Sequence, residues 1–268
     1  MYQKLVFLMY HEIESSSRAI CNTKTGYKRY VVTKDIFHEQ IIRLSNQGFV
    51  GINVSQALSP CFTNVQTSPK IVITFDDGCE SDLLIAAPLL KDHHFNATFY
   101  IVSDFIGRRG YLSPYQLKEL SNLGFEIGSH SKTHRYLTDL NIKDLFFEVK
   151  ESKDQLEQIL GKTITHFSCP GGRYNPLVIQ AVKEAGYQTM ATSQIGVNCI
   201  KSNRFSLSRV SILRDIKHKD FDKLCIAEGF SRLQIRDFTY SIVKTIIGNS
   251  FYDKIRNMVL EASAFYKT

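Results

Sequence analysis

The sequence predicts an α/β fold in which a mostly parallel sheet carries its helices on the outside. Short apolar, β-rich runs alternate with helix-length amphipathic segments along most of the chain, the order expected of strand–helix–strand crossovers. The 268 residues and the 43% apolar content suffice for one full core. Charged residues make up 22%, too few for a disordered chain.

Strands are predicted at residues 5–10, 71–75, 97–102, 125–128, 166–168 and 188–191, and helices at 34–47, 81–92, 114–123, 142–160 and 176–185. Ser113-Pro114 and Asn175-Pro176 each set a capping oxygen before a proline at the first helical position, where its missing N–H costs nothing. Asn141 caps the helix from 142, Asp144 supports that end, and Gly161 follows as the residue that ends it. Leu145, Val149, Leu156 and Leu160 give this helix one apolar face. Such alternation fits a (β/α) barrel or an open doubly wound sheet, and periodicity does not separate them. In both, chemistry collects at the carboxyl ends of the strands.

The pattern changes after about Asp215, where 221–227, 233–247 and 252–264 read as consecutive helices. Residues 1–215 are therefore expected to form the catalytic domain and 216–268 a helical C-terminal extension. Leu233, Ile235, Phe238, Ile242, Ile246 and Ile247 form an apolar stripe flanked by Arg232, Arg236 and Lys244. Packing back onto the domain is the first expectation for it, with peripheral membrane contact or a dimer interface as alternatives. The oligomeric state is not legible.

Six cysteines at 21, 61, 79, 169, 199 and 225 include no CxxC pair, which argues against a zinc ribbon or thioredoxin-like site; mostly reduced, buried thiols are expected. The apolar run after Lys4 is too short for a signal-peptide core, and no run of 18 apolar residues occurs. A cytoplasmic protein, at most working at the inner face of the membrane, is expected. The formal charge of +7 comes without zinc-finger spacing, an RNP-like sequence or a basic block, so nucleic acid is not an expected partner. General solubility, or attraction to an anionic membrane surface or lipid pyrophosphate, accounts for it better.

Chemistry is carried by four clusters at predicted strand ends: His11, Asp76-Asp77-Gly78, Ser129-His130 and Pro170-Gly171-Gly172. His130 and His134 are four residues apart, which on a helical turn places both imidazoles on one side of a metal ion. Two adjacent acids ending a buried strand need a partner or a cation, because an unpaired buried charge is costly. One carboxylate can bind the metal while the other takes a proton from water, giving Asp-His-His ligation with open positions. A bound divalent ion brings the pKa of water to about 7, within reach of a carboxylate base. Pro170-Gly171-Gly172 can present a backbone N–H to an oxyanion, and His11 stands at the right end of the sheet to act as an acid.

Thr74-Phe-Asp-Asp-Gly78 and Ser129-His-Ser-Lys-Thr-His134 resemble the first two signature motifs of the polysaccharide deacetylases, carbohydrate esterase family 4 with the NodB-homology domain. Leu8-Met-Tyr-His11, Ala97-Thr-Phe-Tyr100 and Gly124-Phe-Glu-Ile-Gly128 resemble further family segments, so the likeness covers about residues 4–215. The resemblance implies a distorted (β/α) barrel and one divalent metal ion, zinc with cobalt or nickel as substitutes. It also implies Asp76 as base and Asp77, His130 and His134 as metal ligands. Phe167-Ser-Cys-Pro-Gly-Gly172 stands where the third motif belongs, with Gly171 at the oxyanion-donor position. That motif usually has an arginine after the phenylalanine and a tyrosine before the last glycine; this chain has Ser168 and Gly171. Arg173 and Arg209 are the candidates to replace the arginine. The usual late Leu-x-His motif is absent near Leu207-Ser-Arg-Val210. In rearranged members the acid comes from an N-terminal Tyr-His segment, which His11 matches, so it is preferred over His166 and His218.

The expected function is metal-dependent removal of N-acetyl groups from an amino-sugar-containing poly- or oligosaccharide. The alternatives are an O-acetyl esterase or other non-peptide amide hydrolase, and a carbohydrate-binding protein without catalysis. Tyr174 beside Arg173 is a candidate sugar contact, and Gly172 a second candidate backbone donor. Cys79 reads as a packed thiol, and His38, His93 and His94 as solvated side chains.

Overall fold

The computed structural model describes residues 3–60, 68–231 and 233–234. Its strands are β1 Val6–Tyr10, β2 Ile13–Glu14, β3 Val32–Thr33, β4 Val50–Ile52, β5 Lys70–Asp77, β6 Thr98–Ile101, β7 Glu126–Ser129, β8 His166–Ser168, β9 Thr189–Ala191 and β10 Val210–Ser211. The main sheet runs β10-β1-β5-β6-β7-β8-β9, with β4 beside the first half of β5, and every pairing among these strands is parallel. The segment around β10 closes the curve: Leu207 bridges Ala191 of β9, and Val210 pairs with Leu8 of β1. The result is the expected distorted (β/α) barrel, and the open doubly wound alternative falls away.

Strand alternation sorts the side chains. Leu8, Tyr10, Ile73, Phe75, Phe99 and Ile101 join the main core under the helices, with Phe75 stacked between Tyr10 (centroids 5.3 Å apart) and Phe99 (4.7 Å). The other parity, including Leu5, Phe7, Val72, Tyr100, Ala191 and Leu207, makes a smaller inner cluster. Thr74 and Asp76 follow Val72 on that inner parity, so period-two geometry carries a carboxylate to the mouth of the barrel.

The helices are α1 Thr25–Lys28, α2 Lys34–Asn46, α3 Val54–Ala57, α4 Ala87–Asp92, α5 Pro114–Asn122, α6 Ile142–Leu160, α7 Pro176–Glu184 and α8 His218–Cys225. The bounds of α6 match the predicted 142–160, because both ends carry a stop: Asn141 accepts the Asp144 N–H at 2.9 Å, and Gly161 turns left-handed at φ 64°. The helix predicted over 81–92 is instead divided, opening with a π-helical turn at Asp82–Ala86 before α4. The helix predicted at 221–227 begins three residues earlier as α8, whose Phe221, Leu224 and Cys225 enter the main core. The predicted helices at 233–247 and 252–264 lie outside the described residues, apart from 233 and 234. Among the described residues no helix is long and apolar enough to cross a membrane.

Candidate active site

The acid pair ends β5, in register with Tyr100 and Ile101 of β6. Asp76 continues the strand, whereas Asp77 takes a left-handed backbone at φ 84°, followed by Gly78 at φ 79°. Such a conformation costs a non-glycine residue on the order of 1–3 kcal/mol. Its effect is to turn two neighbouring carboxyls in different directions. Asp77 Oδ1 lies 3.7 Å from His130 Nε2 and 3.5 Å from His134 Nε2, and it is buried without a hydrogen-bond partner. An orphaned buried oxygen facing two imidazole nitrogens at these separations is the donor set a zinc-class cation takes.

His130 is fixed from behind, its Nδ1 lying 2.8 Å from the carbonyl of Ser168, which leaves Nε2 for the cluster. Burial, with His134 adding to it, lowers the His130 pKa to about 4 against the opposing pull of Asp76 and Asp77. The neutral ring is the form that ligates. Residues 130–134 do not form the helical turn that their spacing suggested. They are a loop with left-handed residues at Ser131 (φ 65°) and His134 (φ 64°), and those turns bring the imidazole centroids to 4.9 Å. Glu148 of α6, which is buried, staples this loop: its Oε2 accepts the N–H groups of Lys132 (3.1 Å) and Thr133 (2.8 Å), and its Oε1 the Thr133 hydroxyl. Sequence reasoning missed Glu148, although an acid three residues after Leu145, inside an apolar stripe, was the signal.

Of the two arginine candidates, Arg209, just before β10, is the one that reaches Asp76. Its Nη1 and Nη2 donate to Asp76 Oδ1 and Oδ2 at 2.7 and 2.8 Å, and Nη1 also reaches Thr74 Oγ1 at 3.2 Å. Its Nε donates to the Thr192 carbonyl at 2.9 Å, and the guanidinium lies 5.4 Å from the Tyr100 ring centroid. Gly128 leaves room for that ring, since a Cβ there would stand 2.5 Å from it. Ser168 joins the network, accepting from Arg209 Nη2 at 2.7 Å and donating to Asp76 Oδ2 at 3.2 Å. Burial alone would raise the Asp76 pKa, but the charges of Arg209 and His130 and the guanidinium hydrogen bonds hold it well below the usual carboxylate range. Arg173, the other candidate, stacks on Tyr136 with its guanidinium 3.8 Å from the ring centroid.

His11 follows β1 at the same barrel end and packs against Tyr30 at 4.9 Å. Its Nδ1 is buried without a hydrogen-bond partner. Burial lowers its pKa, Asp77 and Asp76 pull it back up, and Arg209 and His134 add to the lowering. Cys169 leads into the turn Pro170–Gly172, where Gly171 and Gly172 have φ of 61° and 67°. The Gly172 N–H is committed to the Cys169 carbonyl at 2.8 Å, and a Cβ on Gly172 would overlap Ser193. Gly172 thus shapes the turn and leaves Gly171 as the backbone donor to consider. Tyr174 donates from its hydroxyl to Gln194 at 3.1 Å. His166 and His218 are elsewhere, His166 bonded to Thr189 and Ser55 and His218 paired with Glu39.

Asp77, His130 and His134 and the arginine-bound Asp76 thus gather at one end of the parallel barrel. The polysaccharide deacetylase family model matches residues 63–190, the stretch that carries the acid pair and the two histidines. The chain is 29% identical over 210 residues to YxkH of Bacillus subtilis, named as a polysaccharide deacetylase, across 78% of this chain and 71% of that one. It is 34% identical over 131 residues to a peptidoglycan-N-acetylglucosamine deacetylase of Bacillus cereus, across 48% of this chain and 59% of that protein. In structure it is similar to the Streptococcus pyogenes deacetylase PplD in complex with acetate, with a TM-score of 0.72, 24% identity and coverage of 84% of this chain and 99% of that one; that likeness shows the fold.

Proposed function

We propose that this protein is a divalent-metal-dependent hydrolase that removes N-acetyl groups from an N-acetylhexosamine-containing poly- or oligosaccharide. The observation that carries the proposal is the division of labour within the acid pair: Asp77 faces His130 and His134 with an oxygen that has no other partner, while both oxygens of Asp76 are held by Arg209. When bound, a zinc-class cation supplies Lewis acidity, lowering the pKa of water and polarising the acetyl carbonyl.

Asp77, His130 and His134 are its ligands. Asp76 accepts the proton of the attacking water, and Arg209 keeps it ionised and oriented for that task. The Gly171 N–H receives the oxyanion that develops on the acetyl carbonyl. His11, an imidazole at the same barrel end with an unpartnered Nδ1, donates the proton that the departing sugar amine requires. Arg173 on Tyr136 and Tyr174 on Gln194 border the glycine turn and are the proposed sugar contacts. The name of the Bacillus cereus relative supports N-acetylglucosamine in a cell-wall-type glycan as the first substrate to try.

The test is acetate release from N-acetylglucosamine oligomers, from peptidoglycan fragments and from O-acetylated xylan by zinc-loaded protein. Release from the N-acetylated substrates, abolished by a chelator and restored by zinc, is expected. Release from the O-acetyl ester alone would replace this reading with an esterase, and no release from any of them would overturn it.

A further inference from the structure

Beside the catalytic cluster lies a second group of potential ligands that the mechanism does not use. Glu12, one residue after His11, is buried, as is Cys79, two residues after Asp77. Cys21 comes in from the loop before α1, and its Sγ stands 3.5 Å from Cys79 Sγ; both are free thiols. One carboxylate oxygen of Glu12 and the two sulfurs all lie within 4.8 Å of one another. Tetrahedral zinc with two thiolates at about 2.3 Å sets its sulfurs roughly 3.8 Å apart, so the pair needs almost no movement to share a cation.

The frame around the sulfurs is built. Glu12 is oriented by the Cys21 N–H (2.9 Å), the Tyr27 hydroxyl (2.9 Å) and Arg18 Nη1 (2.7 Å). Cys21 Sγ also rests 3.0 Å from the Gly110 carbonyl, and Gly110 at φ 88° could carry no Cβ without meeting that sulfur at 2.9 Å. Tyr27 Oη is 3.5 Å from Cys79 Sγ.

A second observation, on a different residue, points to a cation ligand here. Asp82, in the π-helical turn directly after this segment, is fully buried, and neither carboxyl oxygen has a hydrogen-bond partner. It interacts electrostatically with Cys21, Cys79 and Glu12, and Arg18, the nearby cation, is already engaged by Glu12. Two buried carboxyls and two thiols thus face one arginine. Burial and the neighbouring Asp77 drive the Asp82 carboxyl well above its ordinary pKa.

We infer that Cys21, Cys79 and Glu12, with Asp82 as a second buried carboxylate nearby, form a second metal site for a thiophilic divalent cation of the zinc class, distinct from Asp77-His130-His134. Binding releases the two thiol protons to solvent, and the cation bonds to both sulfurs without a change of oxidation state. The site ties the loop before α1 to the start of the turn that follows the catalytic acids. Its natural role is structural, holding Asp77 and Gly78 in their left-handed backbone.

The test is cobalt(II) titration of the metal-stripped full-length protein, followed by near-ultraviolet thiolate-to-cobalt absorption and by metal content. The wild type should show the thiolate band and bind one more cation per chain than either Cys21→Ser or Cys79→Ser, both of which should lose the band. Asp77→Ala should keep the band while losing the other cation, which separates this inference from the deacetylase reading. Should Cys79→Ser fail to fold, Cys21→Ser at the half-buried partner decides alone. A wild type without the band, or a band that survives in Cys21→Ser, overturns the site. So does a mass two hydrogens lighter under an added disulfide oxidant with no second cation bound, which would make the pair a disulfide instead.

Discussion

Replacing Arg209 with methionine removes the group that holds both oxygens of Asp76, the proposed base. Arg209 and Asp76 are 1% and 2% exposed, and the guanidinium spends two charge-assisted bonds of 2.7 and 2.8 Å on that one carboxylate. At about 1.5–3 kcal/mol for each bond to a charged group, the pair is worth about 3–6 kcal/mol to the partner left behind. That agrees with the roughly 3–5 kcal/mol lost when a buried ion pair is broken by removing one member. Methionine fills much of the volume but leaves Asp76 either charged and unpaired or protonated. Two consequences follow. Urea unfolding in fixed excess zinc should show Arg209→Met destabilised by about 3–5 kcal/mol, about a fifth or more of the stability of an ordinary domain. The acidic limb of kcat/KM should move to higher pH, because burial, no longer opposed, now raises the Asp76 pKa. Much of the stability loss should vanish in an Asp76→Asn background, giving a coupling of about 2 kcal/mol or more, whereas independent sites add to within roughly 0.5. An Arg209→Met protein within 1 kcal/mol of wild type, additive with Asp76→Asn and unshifted in pH profile, would refute the assignment.

The remaining predictions concern the surroundings of that pair. Because Ser168 Oγ already touches Asp76 and Arg209, the double variant Ser168→Arg/Arg209→Ser should recover at least about tenfold of the acetate-release rate lost by Arg209→Ser; no recovery would mean that residue 168 cannot take over the role. Glu148→Ala frees the 130–134 loop and should weaken zinc binding by about 10–100-fold in a competitive chelator titration; unchanged affinity would deny it a positioning role. At the opposite end of the barrel, Glu126 accepts from the Val54 and Ser55 N–H groups, Thr98 and His166, and against the cost of burial His166 and these hydrogen bonds lower its pKa. A lowered carboxyl pKa contributes stability that is present above the unfolded value of about 4.3 and is lost as pH falls through the folded one. Glu126→Gln should therefore cost stability near neutrality and progressively less in acid, as urea unfolding at stepped pH would show. A constant difference would contradict the charge assignment.

How much of this could be read in the chain depended on sequence distance. The acid pair, the two histidines and the strand ends that carry them are local, and α6 emerged with its bounds because Asn141 and Gly161 mark its ends. The convergence of His130 and His134 was right in outcome but not in cause: left-handed turns and Glu148 replace the expected helical turn. Arg209 could be named only as one of two candidates. It stands 133 positions from Asp76, beside a strand of two residues that is too short for a hydrophobic period. The edge strands β2, β3 and β4 escaped for the same reason. Cys79 was expected to be a packed thiol, and its neighbour Cys21 arrives from a loop that no pattern could place.

The central claim is that Asp76 and Asp77 do different work at one cation. The measurement that bears on it most directly is zinc content and acetate release from an N-acetylglucosamine oligomer, taken together on wild type, Asp76→Asn and Asp77→Asn. The account predicts that Asp76→Asn keeps the catalytic zinc while release falls by at least about a hundredfold, and that Asp77→Asn loses zinc and release together. Near-normal release from Asp76→Asn, or full zinc retention in Asp77→Asn, would contradict it.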